Sequence, residues 1–267
     1  MELIKRVLVA VVFIPLLLLV YYFGGVALLV FLGLLSFGAT WELRNIIKEG
    51  KDLYIPILLI PLSIPIFLTS ALKGFEYSYF IIIGTFILVA GNNVILNKID
   101  RSASTIALSL LAVVYTVLMP ASIYRISSEF PGFKLVLLLQ ACCWLTDSFA
   151  YFVGMKFGKH RNIFKASPKK SLEGFLGGFF LTGLCGGLLY LFTDWFQGWH
   201  IIYAVVSAGI FGQFGDLIES IIKRDLNVKD SSNLIPGHGG IIDRFDSLFV
   251  SAPIFYFLLL LFNIEVS

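Results

Sequence analysis

The sequence predicts an all-α, polytopic integral membrane protein with about nine transmembrane helices and a cytoplasmic N-terminus. Three observations predict it. Hydrophobic residues make up 58% of the 267 and charged residues only 14%, too few to surface a soluble domain of this size. Apolar runs of about 20 residues, the length a helix needs to cross the hydrocarbon layer, recur along the chain. They are apolar all round, without the period-two alternation of barrel strands. The basic residues supply the third observation. All but Lys73, Arg125 and Lys134 of the 20 lysines and arginines fall at the N-terminus or in the connections after spans two, four, six and eight. By the positive-inside rule these segments face the cytoplasm and the C-terminus lies opposite. A missed or extra span would scramble that asymmetry.

Span one, roughly 7–23, follows Lys5 and Arg6 like a leader peptide, but it shows no small-residue cleavage site and runs on into "YYFGG", so it reads as a membrane helix. Span two covers roughly 26–47. Span three, 54–72, holds Pro56, Pro61 and Pro65 and is expected to bend, which membrane helices tolerate when neighbours satisfy the freed carbonyls. Spans four and five run over 78–96 and 104–124. Span six, 134–157, carries Cys142, Cys143 and Asp147, and span seven, 172–193, carries Cys185. The cysteines have neither metal-ligand spacing nor a disulfide framework and read as small packing residues. Spans eight and nine cover 199–222 and 247–263. The longest polar segments are 157–171 and 223–246. We divide the chain into 1–130, the N-terminal helices one to five, and 131–267, a catalytic half of helices six to nine with cytoplasmic loops.

Carboxylates inside such spans are costly and mark function by default. Asp147 lies about ten residues before the cytoplasmic end of span six, roughly 15 Å deep. It has no charged neighbour within a turn of its own helix, so its partner must come from elsewhere. Asp216, Glu219 and Lys223 follow at spacings of three and four, which puts them on one face of span eight. Asp243 and Asp246 sit three apart at the start of span nine. Simpler readings stand beside these: Glu219 with Lys223 as a boundary ion pair, Glu42 with Arg44 as an interfacial pair, Asp246 as an acid favoured at a helix N-terminus.

Three carboxylates on one leaflet, without a His or Cys cluster, suit a hard divalent cation with oxygen ligands, typically Mg²⁺ shared with substrate phosphates. The candidate metal ligands are Asp216 and Asp243 first, with Asp147 and Asp246 as further ligands. Lys223, Arg224, Lys229 and Arg244 flank the acids, and Lys169 and Lys170 stand at the mouth of span seven. In "PGHGG", Pro236 to Gly240, the glycines let backbone N–H groups approach an anion. The residues point to a Mg²⁺-dependent site for phosphates at the inner membrane surface.

The stretch "SIIKRDLNVKDSSNLIPGHGGIIDRFD", Ser220 to Asp246, resembles the signature of phosphatidate cytidylyltransferases, also called CDP-diacylglycerol synthases. Its fixed positions are filled by Ser220, Lys223, Arg224, Lys229, Asp230, His238, Gly239, Gly240, Asp243, Arg244 and Asp246. A second stretch, "DSFAYFVGMKFGKHRNIFKASPKKSLEGFLGG", resembles the family's region around Asp147 and the Ser167–Lys170 turn, followed by Glu173 and Gly174. Where the family usually has Thr and then a bulky residue, this chain has Ser171 and Leu172. Ser167 with Pro168, or Ser171, also reads simply as a helix start. The motif resemblance covers roughly residues 144–250.

The resemblance implies transfer of CMP from CTP to phosphatidic acid, giving CDP-diacylglycerol and pyrophosphate in phospholipid biosynthesis at the inner membrane. It assigns catalysis to Asp216, Asp243, Lys223 and Asp147. Phosphate binding goes to Ser220, Lys223, Arg224, Lys229, His238, Gly239, Gly240, Arg244, Lys169 and Lys170. Mg²⁺ is the expected cofactor, with room for a second cation because two anionic reactants meet at one centre. Expected partners are CTP, phosphatidic acid and membrane lipids, with no nucleic acid, and a second copy of the chain in a homodimer. The rivals are a CTP-dependent lipid kinase, which would release CDP, an archaeal-lipid cytidylyltransferase, and a cation-coupled transporter. Transport would use Asp147 and Asp216 but leaves the Lys-Arg and Gly-His-Gly-Gly elements without a purpose.

Overall fold

The computed structural model describes residues 2–51, 53–130, 133–228, 231–232 and 239–263. These residues form nine helical stretches that follow the nine expected spans. They are α1 (Glu2–Phe23), α2 (Gly25–Lys51), α3 (Leu59–Lys73), α4 (Ser78–Ile95) and α5 (Ser102–Glu129), then α6 (Phe133–Phe157), α7 (Leu172–Phe192), α8 (Gly198–Asp225) and α9 (Ile242–Asn263). A π turn interrupts α5 at Val114–Leu118 and α8 at Ser207–Gly212. The chain is an all-α integral membrane protein. Among the described residues, seven helices are long and apolar enough to cross a membrane, while Val11–Phe23 of α1 and the whole of α3 are shorter apolar helices.

The prolines explain the difference at span three. Residues expected to be helical from 54 remain irregular as far as Pro56, whose carbonyl accepts the Leu59 N–H at 3.0 Å as the helix begins. Proline lacks an N–H, so Pro56 just before the helix and Pro61 in its first turn remove donors that have no intrahelical acceptor there, while Pro65 lies inside the helix. What remains is 15 residues, about 22 Å of helix. Between α1 and α2 the chain turns at Gly24 and Gly25, whose φ angles of 55° and 45° are the left-handed values that glycine adopts without a Cβ penalty.

The described helices fall into two compact units. The first comprises Met1–Arg125 with Lys223–Arg244, the second Ile126–Ile222 with Phe245–Ser267. In the first, α2 packs on α3 and on the π turn of α5. Leu28, Leu32, Ile47 and Phe67 are fully buried there, and Thr40 and Thr116 share a hydroxyl hydrogen bond of 2.7 Å. Tyr54 Oη donates to Asn93 Oδ1, and Asn93 Nδ2 donates to Ser102 Oγ, which ties the loop before α3 to α4 and to the start of α5.

In the second unit the main contact is α6 against α7. Lipid tails give apolar helices no hydrophobic reason to associate, so close backbone approach through small residues takes over. Here Gly174 and Gly178, one turn apart, provide it. A Cβ on Gly178 would stand 2.8 Å from the Thr146 carbonyl oxygen, and one on Gly174 would stand 2.7 Å from that of Ala150. Thr146 and Thr182 hydroxyls bond across the same seam at 3.0 Å. The cysteines are free thiols, with Cys142 and Cys143 buried, and Cys143 Sγ lies 3.3 Å from Ser251 Oγ of α9.

Candidate active site

The second unit gathers acids from two helices. Asp216 and Glu219 lie one turn apart on α8, and Asp246 joins them from the first turns of α9. One carboxylate oxygen from each lies within 4.8 Å of the others. Local packing makes this possible. Gly215 has no side chain, and a Cβ there would stand 2.5 Å from the Asp246 carbonyl oxygen, so α8 and α9 touch backbone to backbone beside the acids. Upstream, the π turn leaves carbonyls for the Gln213 side chain, whose Nε2 donates to Gly209 at 2.5 Å and to Phe175 of α7 at 3.0 Å. A π turn of this kind commonly accompanies a functional segment.

Glu219 is only 4% exposed, whereas Asp216 and Asp246 are half-buried. Three like charges this close repel by about 3 kcal/mol per pair at an effective dielectric near 20. One cation is already present, since Lys170 Nζ lies 2.6 Å from Asp216 Oδ2. Ser220 Oγ donates to Asp216 Oδ1 at 3.4 Å, and the Ser247 N–H donates to Asp246 Oδ1 at 2.7 Å. The all-oxygen donor set, one member buried, fits a hard divalent cation. Asp147 is exposed on α6 and outside this triad, but it remains within electrostatic range of Asp216 and Lys170.

Lys170 is delivered by a tightly braced loop between α6 and α7. Ser167 to Lys170 form a turn closed by the Lys170 N–H donating to the Ser167 carbonyl at 3.1 Å, with Pro168 at the position a turn favours. Arg161 caps the end of α6, donating to the carbonyls of Gly154 at 2.7 Å and Gly158 at 3.2 Å, and also reaches the carbonyl of Lys169 at 3.3 Å. On the other side, Glu173 accepts from the backbone N–H groups of Lys159 and His160, and its Oε1 lies 2.5 Å from His160 Nδ1. Ser171 is buried and caps α7 by accepting the Gly174 N–H at 3.1 Å, so the helix-start reading of Ser171 holds. Lys169, by contrast, is exposed.

The first unit holds a different arrangement around Asp243. Lys223 Nζ lies 2.7 Å from Asp243 Oδ1. Asp243 Oδ2 accepts from Ser231 N at 3.1 Å, Ser231 Oγ at 2.9 Å and Gly240 N at 2.8 Å. Gly239, at φ 82°, leaves no room for a side chain, because a Cβ would stand 2.5 Å from Asp243 Oδ2. Arg224 and Arg244 are exposed. Lys229, Asp230 and His238 lie outside the described residues.

Two residues outweigh the sequence reading given to them. Glu219, weighed there as an ion-pair partner of Lys223, belongs to the acid triad, and its one-turn spacing from Asp216 was the visible signal. Glu42, weighed as an interfacial partner of Arg44, is fully buried and bonded to the segment leading into α9. Arg44 instead donates to the Ile55 carbonyl at 3.1 Å.

The chain is 33% identical over 265 residues to the phosphatidate cytidylyltransferase of Staphylococcus epidermidis, covering 95% of this chain and 96% of that protein. It is 34% identical over 259 residues to the enzyme of the same name from Staphylococcus saprophyticus and 32% identical over 259 residues to that of Staphylococcus aureus, with the same coverage. A profile of the cytidylyltransferase family matches residues 4–262. With both its acid-bearing helices and its N-terminal helices inside that match, the chain belongs to the cytidylyltransferase family.

Proposed function

We infer that this protein is a phosphatidate cytidylyltransferase: it joins CTP and phosphatidic acid into CDP-diacylglycerol and releases pyrophosphate. The observation that carries the reading is the triad of Asp216, Glu219 and Asp246 with Lys170 beside it, in a chain whose full length matches enzymes of that name. In the reaction, an oxygen of the lipid phosphate forms a bond to the α-phosphorus of CTP. The bond from that phosphorus to the oxygen bridging the α- and β-phosphates breaks, and pyrophosphate takes its electrons. The attacking oxygen is anionic at neutral pH, so no strong general base is needed. Catalysis then rests on positioning and on offsetting charge.

We assign Asp216, Glu219 and Asp246 to hold Mg²⁺, with Asp147 near enough to contribute through its field or to a second cation. Bound there, Mg²⁺ would neutralise phosphate charge and polarise the phosphorus centre. Lys170 steadies Asp216 and offsets the acids until anionic substrate arrives. Asp243 fits the role of anchor for Gly239 and Gly240 more directly than that of a metal ligand, because its Oδ2 already accepts three hydrogen bonds and its Oδ1 faces the Lys223 ammonium. It also orients Lys223 toward phosphate binding. Ser220, Arg224, Lys229, His238, Arg244 and Lys169 complete the proposed phosphate contacts. The bias of basic residues supports a cytoplasmic active site, carried by the catalytic half 131–267, and the family resemblance supports a homodimer.

The test is turnover by purified protein in detergent with labelled CTP, phosphatidic acid and Mg²⁺, resolving lipid and phosphate products. Mg²⁺-dependent CDP-diacylglycerol with equimolar pyrophosphate is expected. CDP without a nucleotide-bearing lipid would replace this reading with a lipid kinase. No turnover in any lipid mixture, with cation flux in liposomes, would replace it with a transporter.

A further inference from the structure

Glu42 lies on α2, far in sequence from every residue of the signature segment, and its carboxylate is completely buried. Three donors converge on it: Ser232 Oγ, the Ile241 N–H at 3.2 Å and the Ile242 N–H at 2.8 Å. The two N–H groups belong to the start of α9, where backbone donors lack partners within the helix. A carboxylate there is favoured both by those donors and by the helix dipole. The face of α2 is shaped for the purpose. One turn before Glu42, Gly38 makes room for Ile241, since a Cβ there would stand 2.5 Å from Ile241 Cδ1. A Cβ on Gly240 would collide with the oxygens of Glu42 and Ser231.

Asp243 grips the same backbone from the other side, through Ser231 and Gly240. The described ends of the glycine-rich segment, Ser231–Ser232 and Gly239–Ile242, are thus held between two carboxylates, one on α9 and one on α2. Burying a carboxylate without such partners would cost several kcal/mol. Removing it would leave buried N–H groups unmet. A residue outside the signature therefore bonds to both described ends of the glycine-rich segment within it.

We propose that Glu42 is a positioning residue of the reaction: through Ser232, Ile241 and Ile242 it fixes the described ends of the glycine-rich segment, Ser231–Ser232 and Gly239–Ile242, in the form that receives the triphosphate of CTP. This rests on the function proposed above. The carboxylate touches no reacting atom, so its effect should appear in nucleotide binding and spare the metal.

The test compares wild type, Glu42→Gln and Ser232→Ala in detergent by steady-state kinetics and by amide hydrogen exchange of the peptide covering Gly239 to Asp246. Glu42→Gln should raise KM for CTP about tenfold, equivalent to ~1.4 kcal/mol. KM for phosphatidic acid and the Mg²⁺ concentration for half-activation should stay within about twofold. Exchange at Ile241 and Ile242 should speed up while a peptide from α7 stays protected. Ser232→Ala, which keeps the carboxylate, should shift KM for CTP the same way by a smaller factor. An unchanged KM for CTP in both variants overturns the proposal, as does an equal loss with every substrate and Mg²⁺. If Glu42→Gln does not fold, Ser232→Ala decides, and wild-type kinetics in that variant overturns it. Faster exchange with unchanged kinetics reduces Glu42 to stability alone. Wild-type protein that makes no CDP-diacylglycerol would sink the function itself, and the inference with it.

Discussion

Lys170 and Asp216 form an ion pair of 2.6 Å between the loop that precedes α7 and the acid-bearing face of α8. The pair sets a positive charge beside the carboxylates of Asp216, Glu219 and Asp246, and its removal has a measurable sign. Lys170→Ala should lower turnover at least about tenfold, since a phosphate-facing cation is lost. It should also lower the Mg²⁺ concentration for half-activation several-fold, because a more negative site attracts a divalent ion more strongly. A Mg²⁺ titration of the variant checks both. A rise in the Mg²⁺ requirement would contradict the arrangement.

Asp216→Asn and Asp246→Asn should each reduce turnover by about a hundredfold or more while the protein remains folded in detergent, a loss of the size seen when charge stabilisation is removed from a reacting centre. Glu219→Gln should raise the Mg²⁺ requirement. Lys73→Ala, at the end of α3, should be almost silent. Near-normal activity in both aspartate variants would refute the metal assignment, and thermal unfolding in detergent separates lost chemistry from lost fold.

Arg161→Ala should mimic Lys170→Ala in weaker form. Its guanidinium joins the carbonyls of Gly154, Gly158 and Lys169, so its loss frees the loop that carries Lys170. Turnover should fall about tenfold and the Mg²⁺ requirement should move in the same direction as for Lys170→Ala. Arg161→Lys should recover only part, because an ammonium does not reproduce the planar fork that serves three acceptors.

The α6–α7 seam predicts opposite outcomes for two glycines of one helix. Gly178→Ala puts a methyl group 2.8 Å from the Thr146 carbonyl and should destabilise by about 1–3 kcal/mol. Gly187→Ala meets nothing within 4 Å and should be neutral or stabilising, by up to ~1 kcal/mol of helix propensity. Thermal melting in detergent, followed by size-exclusion recovery, distinguishes them.

Much of this architecture is readable along the chain. Among the described residues the nine apolar runs appear as nine helices, seven of them long and apolar enough to cross a membrane, because a backbone in lipid has no alternative to satisfying itself. The shortening of α3 was only half legible: the three prolines announced a disturbed helix, but where the regular turns begin depended on which neighbours accept Tyr54 and cover Pro56. Asp216 stood out as an acid within a span, whereas Asp246, at the entrance to its helix, read equally well as a helix-start residue. Glu219 did not, because spacing alone serves an ion pair with Lys223 as well as a cluster. Glu42 was least legible, since its donors are nearly 200 positions away and local sequence carries no trace of them.

The sequence by itself determined the helical class, the nine apolar runs and the signature of a CTP-using enzyme, because composition, period and motif are properties of neighbours along a chain. Only the tertiary structure decided which charges meet. Gly215 brings α9 against α8 and so gathers Asp216, Glu219 and Asp246, and the braced loop sets Lys170 on Asp216. In the other unit, Gly38 admits Ile241 to α2 and so gives Glu42 its donors. Each of these depends on how closely two backbones approach, a distance fixed by side chains that are missing as much as by those present.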